Sequence, residues 1–468
     1  MSARRDTSSP SSVRLRRRSR SRSNLRPETK TASDALAWLD AHVNRESLGV
    51  PAGASRRKTN PTLDRIAAIV ELLGSPQLQY PVLHLTGTNG KTSVARMATA
   101  LLVGTGLSTG AYTSPHLERV NERIGWNGVP IDDDALAAAL DAVAAVEPFL
   151  PGPPSYFEIL TAAAYEWFAD IAVDGAVVEV GVGGTWDATN VADGSVAVVT
   201  NVSIDHVDYL GPTTADIAGE KAGIIKPGAT LVLGETDPDL LPIFADRGAA
   251  RVLRRDVDFG VRANEIAHGG RHLQLFTRAR EYADVFLPLH GAHQADNAAV
   301  ALAAVEAFLE RPLDADVVTD AFAAVRSPGR LEVVGHQPLV LLDGAHNVAG
   351  AHSLCVALAD EFPAAPRTFV VGLLREKEPR EMLEALGVNG ASRLVCCRAP
   401  SPRSHDPSLV AAAARELGVD PDRVDVVDDV ADAVRHGIDI SSANDQVIVT
   451  GSLYVVGAAR HALVHSRN

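Results

Sequence analysis

Apolar residues recur along this chain in two alternating rhythms. Short runs rich in Val, Leu and Ile, several apolar on both faces, read as strands of a parallel sheet covered by helices on each side. They are PVLHLT (81–86), GAVVEVG (175–181), SVAVVTNV (195–202), ATLVLG (229–234), PLVLLDG (338–344), RTFVVG (367–372), RLVCCRA (393–399) and DQVIVTG (445–451). Between them lie Ala/Leu-rich stretches with helical period. Residues 92–103 place Val94, Met97, Ala98, Leu101 and Leu102 at i, i+3, i+4, i+7 and i+8. This predicts a helix with one buried stripe, stopped by Gly104. Ala351, Leu354, Cys355, Leu358 and Ala359 repeat the spacing after LLDGAHN. No internal repeat of short fixed period interrupts the pattern.

The chain therefore reads as α/β twice over. The joint falls in VRSPGRLEVVGHQP (325–338), where Pro and Gly break the helical pattern before a new strand. The 468 residues suffice for two to four domains.

The first strand runs into LHLTGTNGKTS (83–93) and then into the predicted helix, the context a phosphate-binding loop requires. The general spacing GxxxxGK[ST] would need Gly at 85, where Leu85 stands. The chemistry is nonetheless present. Gly87 and Gly90 let the backbone approach a polyphosphate, and the amides of Thr88, Asn89 and the helix start point at the anion with the helix dipole behind them. Lys91 supplies positive charge, and Thr92 or Ser93 offers a hydroxyl to Mg²⁺. A Gly-rich turn with a solvated lysine is the plainer alternative, and Gly-Lys-Thr at a strand–helix junction weighs against it.

GTNGKT resembles the shorter loop of the Mur ligase superfamily, ATP-dependent amino-acid ligases. Within it the chain is similar to the folylpolyglutamate synthase/dihydrofolate synthase branch. That resemblance rests on an ordered series: TSPHL (113–117), NERI (121–124), YFEILT (156–161), EVGVGGTWDATN (179–190), IDHVDYLG (204–211), EKAGIIKPG (220–228), PGRLE (328–332) and LDGAHN (342–347). It spans about residues 80–350 and weakens beyond. It implies a P-loop ATPase-type N-terminal domain with a mostly parallel sheet (32–328) and a smaller Rossmann-like α/β C-terminal domain that receives glutamate (329–468). A disordered Arg/Ser-rich tail (1–31) precedes them.

Joining a carboxylate to an amine requires activation, met by phosphorylating the acid and letting the amine displace phosphate; catalysis is then alignment and electrostatics. Glu179 and His206 stand at C-terminal ends of predicted strands, where sites in open α/β sheets form. Alone, His206 reads as a capping or core histidine. The resemblance implies that Ser114, Glu179 and His206 bind two Mg²⁺, with Asp205 and Asp208 as alternatives, and that Lys221 carries a carbamate beside the metal. An ordinary Lys221 paired with Glu220 or another acid is the plain reading.

The resemblance also makes Asn297 an adenine contact, where the residues alone suggest a helix N-cap. Arg330 becomes the hinge arginine reaching the phosphates, and Asp343 a nucleotide neighbour. Lys91, Lys221, His206 and Arg330 form the expected catalytic set. His346 and Ser452 would receive glutamate, while Tyr156, Phe157, Glu158, Trp186, Asp187 and Ala188 would line the pterin pocket. Tyr156 and Phe157 read equally well as core aromatics. Thr185 stands where the family carries Arg and Val348 where it carries Pro; Lys377 is kept between Glu376 and Glu378 in place of aspartates.

The expected substrates are dihydropteroate or reduced folate and L-glutamate, with ATP and Mg²⁺. Folate extension alone and a nucleotide-binding switch without ligation are the alternatives. Residues 1–30 hold ten Lys/Arg against two acids, which leaves −22 on the remaining 438 of a net −14. So acidic a body is a poor nucleic-acid partner. No apolar run reaches 18 residues, so no membrane span is expected. Cys355, Cys396 and Cys397 lack disulfide or zinc spacing, which fits a cytoplasmic protein. A monomer is expected.

Overall fold

The computed structural model describes residues 31–44, 46 and 62–465. The basic tail lies outside these residues except for Thr31. The described chain forms three sheets. The first comprises β1 (Val82–Thr86), β2 (Thr109–Tyr112), β3 (Ile124–Trp126), β4 (Val129–Pro130), β5 (Gly175–Glu179), β6 (Gly194–Val199), β7 (Thr230–Leu233) and β8 (Arg251–Arg254). Its order is β4-β3-β2-β5-β1-β6-β7-β8. The six strands from β2 to β8 in that order run parallel, and the edge pairings β2–β3 and β3–β4 are antiparallel. Every residue of β1 and β5 is buried, as a sheet covered on both faces demands.

The helix predicted after the loop is α1 (Lys91–Gly104). Its stripe Val94, Met97, Ala98, Leu101 and Leu102 is fully buried against the sheet. Each of the larger side chains contributes about 1.5–3 kcal/mol by leaving water. The stop differs from expectation. Gly104 still belongs to the last turn, and the left-handed residue is Gly106 at φ +88. On the opposite face packs α2 (Tyr156–Asp170). Further along are α3 (Thr214–Lys221), an antiparallel sheet β9 (Gly260–Ala267), β10 (Gly270–Phe276) and β11 (Glu281–Leu287), and α4 (His293–Leu309).

The third sheet is built from β12 (Glu332–His336), β13 (Leu339–Leu342), β14 (Arg367–Val371), β15 (Arg393–Cys396), β16 (Val424–Val426) and β17 (Gln446–Thr450), in the order β12-β13-β17-β14-β15-β16. All neighbours are parallel except β12 with β13. Helix α5 (Val348–Glu361) follows β13, and α6 (Leu453–Arg460) follows β17. This is the second α/β unit expected from the sequence. Cys396 and Cys397 are buried and all three cysteines are free. No helix among the described residues is long and apolar enough to cross a membrane.

Candidate active site

A large cavity of about 1200 Å³ runs along the C-terminal ends of the strands, between the first sheet and the third. The loop after β1 forms its floor. Gly87 fits there because a Cβ would stand 1.8 Å from Oγ1 of Thr200; Gly90, at φ +81, would bring one to 2.5 Å from Oδ1 of Asn297. The loop is tied to the strand end beside it. Thr200 Oγ1 and Asn201 Nδ2 donate to the carbonyl of Asn89 at 2.6 and 2.9 Å, and the Asn89 amide donates to Asn201 Oδ1 at 3.0 Å. Thr88 Oγ1 exchanges hydrogen bonds with Ser203 at 3.0 and 3.1 Å. Lys91 Nζ folds back onto the carbonyls of Gly87 (3.0 Å) and Thr88 (3.2 Å). Burial lowers its pKa, opposed by the Glu179 carboxylate. Of the two candidate hydroxyls, that of Thr92 reaches the acid of the site, and Ser93 is buried.

Glu179 ends β5 and is 1% exposed. Its Oε1 accepts from Thr92 Oγ1 at 3.0 Å, and its Oε2 faces the Ser114 amide at 3.4 Å. Burial pushes its carboxyl up to about 7 against the pull of Lys91. His206, at φ +51, begins a short helical turn at the end of the loop after β6. Its side chain is 43% exposed at the cavity, and partial desolvation, with Lys377 and His346 nearby, lowers its imidazole below the ordinary value while Asp205 opposes this. Among the described residues no three His, Cys, Asp or Glu side chains cluster as a ready metal cage. The donors that do converge are the oxygens of Thr92 and Glu179, with Ser114 beside them. Such a sparse oxygen set fits Mg²⁺, which is held through few protein ligands, nucleotide phosphates and water.

Lys221 ends α3 and is 3% exposed. It lines a small pocket with Gly87, Lys91, Asp205 and His206. No hydrogen bond or ion pair to its amine is seen among the described residues, and Asp205 is the acid whose charge reaches it. Burial, reinforced by Lys91, drives its pKa well below that of an ordinary lysine. Thr185, where arginine was expected, donates from both its amide and its hydroxyl to the carbonyl of Glu220, at 3.0 and 3.1 Å. It thus ties the loop after β5 to the turn carrying Lys221.

Asn297 does not open its helix. Ala292 precedes the first residue of α4, and Asn297 lies in the second turn with Nδ2 bonded to Gln294 at 3.0 Å. Its carboxamide hangs over Gly90 instead. Arg330 and Asp343 both line the cavity. The Asp343 carboxylate accepts the amides of Leu331 and Ala345, each at 2.9 Å; burial raises its pKa and Arg330 opposes that. His346 and Ser452 face the cavity from the third sheet, and Ser452 also caps α6 through Val455 at 3.2 Å.

At the far end lie Phe157, Glu158, Trp186, Asp187 and Ala188. Tyr156 is not among the lining residues; it is 5% exposed in the core, under the guanidinium of Arg123. Glu158 is engaged by Arg65 at 2.8 Å and by the cap of α2. Asp187 accepts from Thr189 Oγ1 at 2.6 Å and from the amides of Thr189 and Val182 at 3.0 and 3.1 Å.

Sequence reasoning missed Arg65 and Asn347 and left Asp205 to a turn or metal role. Asp205 is the meeting point of the two units. Oδ1 lies 2.5 Å from Lys377 Nζ, Oδ2 accepts from Asn347 Nδ2 at 2.8 Å, and His346 Nε2 stands 3.9 Å away. Burial alone would raise Asp205, but His206, Lys377 and His346 outweigh it and hold the carboxyl far below the usual range.

Known proteins share this architecture. Residues 159–305 match the Mur ligase middle domain and residues 329–453 the Mur ligase glutamate ligase domain. The dihydrofolate synthase/folylpolyglutamate synthase of Mycobacterium tuberculosis is 44% identical over 440 residues, covering 86% of this chain and 90% of that protein. This chain belongs to the dihydrofolate synthase/folylpolyglutamate synthase family. The family member of Escherichia coli is 30% identical over 432 residues, 91% of this chain and 95% of its own length. The structure of Mycobacterium tuberculosis folylpolyglutamate synthase complexed with ADP and AMPPCP superposes with a TM-score of 0.84 at 40% identity, covering 92% of this chain and 99% of that one.

Proposed function

We propose that this chain is an ATP-dependent ligase that adds L-glutamate to dihydropteroate and to the γ-carboxylate of reduced folates through an acyl phosphate. The observation that carries the reading is one cavity faced from one side by the loop of Lys91 and by Glu179, and from the other by His346, Lys377 and Ser452. Phosphoryl transfer and amine capture need such adjacency, because the activated acid must meet its nucleophile before water does.

In this reading the loop amides and Lys91 hold the ATP phosphates, Arg330 reaches them from the hinge, and Asn297 contacts the base. Thr92, Ser114, Glu179 and His206 would hold Mg²⁺, which when bound would supply positive charge to the phosphates. Burial disfavours the protonated form of Lys221, and the unprotonated amine has the free electron pair needed to capture CO₂ as a carbamate. Phe157, Trp186, Asp187 and Ala188 border the pterin end. His346 and Ser452 receive glutamate, and the protein acts as a monomer in the cytoplasm.

The test is phosphate release by purified protein with MgATP and L-glutamate, with dihydropteroate and tetrahydrofolate supplied in turn. Release with both acids is expected. Release with tetrahydrofolate alone would restrict the activity to folate extension, and glutamate-independent hydrolysis would overturn the ligase reading.

A further inference from the structure

Asn347 caps α5: its Oδ1 accepts the amide of Gly350 at 2.8 Å. That bond fixes the carboxamide, so both Nδ2 hydrogens point away from the helix. One goes to Oδ1 of Asn89 in the phosphate loop at 3.1 Å, the other to Oδ2 of Asp205 at 2.8 Å. Asn347 is 4% exposed and Asp205 6%, so the bond between them is shielded from water, while the bond to the half-buried Asn89 is only partly so. The backbone of Asn89 is already pinned by Thr200 and Asn201, which leaves its side chain as the part that can respond to phosphates in the loop. Through Asp205 the same carboxamide communicates with Lys377 and His346.

Capping alone does not call for this residue. Ser or Asp caps a helix about as well as Asn. Neither offers two donors, however, and Asp would set a carboxylate against Asp205. The two outward hydrogens are therefore additional to the cap, and both cross to the nucleotide side of the cleft.

We propose that Asn347 is a positioning residue that couples occupancy of the phosphate loop to the seating of glutamate, with Asp205 as its partner. The inference rests on the ligase reading above. With phosphates in the loop, Asn89 and Asn347 hold Asp205 in the place that fixes Lys377 and His346. Without that hold, the glutamate-receiving side chains lose a shared anchor.

The test uses full-length protein and AMPPCP with Mg²⁺. Its affinity is measured with and without saturating L-glutamate and tetrahydrofolate, and the ratio is the coupling factor. In the unmodified protein the ratio is expected in the range of about 5- to 150-fold. In Asn347→Ser, which keeps the cap, it falls to about 1 while the melting temperature holds. Asp205→Asn, which keeps the shape and removes the charge holding Lys377, gives the same collapse and serves if the first variant fails to fold. An unchanged ratio in both variants, or a ratio of 1 in the unmodified protein, overturns the coupling. Glutamate-dependent phosphate release by the unmodified protein, measured in the same preparation, keeps that outcome distinct from failure of the ligase reading.

Discussion

Thr92 on α1 donates its hydroxyl to Glu179 at the end of β5 across 3.0 Å, joining the phosphate loop to a buried acid of the cleft. The contact leaves a carboxylate in a place where charge is costly without a cation. Burial pushes it up to about 7 from an ordinary 4.5, so in metal-free protein this group opposes folding above the ordinary carboxylate range. Glu179→Gln should therefore raise the stability of the metal-free protein at pH 8, by up to about 3 kcal/mol. It should abolish turnover. Thermal melts in EDTA, paired with phosphate release in Mg²⁺, check both halves; a lower melting temperature would count against the argument.

Gly87 and Lys91 separate shape from charge in the same loop. A Cβ at Gly87 meets Oγ1 of Thr200 at 1.8 Å, and Thr200 cannot swing away without releasing Asn89. Gly87→Ala should cost about 1–3 kcal/mol of stability as overpacking and displace the nucleotide amides. Lys91→Ala removes a half-buried amine bonded only to carbonyls of its own loop. Its fold should persist, while kcat falls by roughly 10²–10³, the scale of losing one charge-stabilising group. Measuring ATP affinity alongside kcat distinguishes the two: the glycine variant loses binding, the lysine variant chiefly turnover.

Much of this architecture is legible in the sequence because burial on both faces writes itself as unbroken apolar runs. β1, β5, β14 and β17 are of that kind. The sheet β9–β11 escaped because its strands are half exposed; GVRANEIA and EYADVFL carry charges on the outer face, and no both-sided run marks them. At the site, Gly87, Lys91, Thr92 and Glu179 are legible through local spacing. Asn347 is not. In sequence it is one more N-cap, and its partners lie 142 and 258 residues away. Tyr156 and Phe157 show the same limit at short range. Adjacent helix positions point about 100° apart, and only packing decides that Phe157 meets the cleft while Tyr156 meets Arg123.

Thr189 offers a test of the pterin end. It donates twice to Asp187, and His84 Nε2, on β1, stands 2.9 Å from its hydroxyl. Burial raises the Asp187 carboxyl, and Thr189 opposes this. Thr189→Val keeps the volume and deletes one donor to a buried acid, costing about 1–3 kcal/mol in interaction. The KM for dihydropteroate should rise about tenfold or more, with the KM for ATP unchanged. An equal rise in both would point to general loosening.

Lys221 should react with CO₂. Its amine is buried, with no hydrogen bond or ion pair seen among the described residues; burial lowers its pKa well below that of an ordinary lysine, and a carbamate would give the side chain a negative charge able to face Mg²⁺. Activity is expected to fall in CO₂-depleted buffer and to return with bicarbonate. ¹³C spectra of protein equilibrated with ¹³CO₂ should show one slowly exchanging carbamate, absent in Lys221→Arg. A free amine in fully active enzyme rejects the modification.

Glu361 predicts how the assembly responds to acid. At the end of α5 its side chain is 1% exposed and pairs with Arg271 of β10, while accepting from the Gly291 amide at 2.7 Å and lying 2.9 Å from His290 Nδ1. Burial would raise its carboxyl, but the bonds from His290 and Gly291 and the charge of Arg271 bring it below 4.5. A depressed carboxyl contributes stability that is complete above the ordinary carboxylate pKa and is lost as pH falls through the depressed value. The melting temperature of the unmodified protein should therefore drop on acidification below about pH 4.5. Glu361→Gln leaves Arg271 buried without its counter-charge and should cost about 3–5 kcal/mol at pH 7. Its melting temperature should also fall less steeply below pH 4.5, so the two curves converge as Glu361 takes up its proton. Parallel curves would show that Glu361 stabilises this contact by packing rather than by charge.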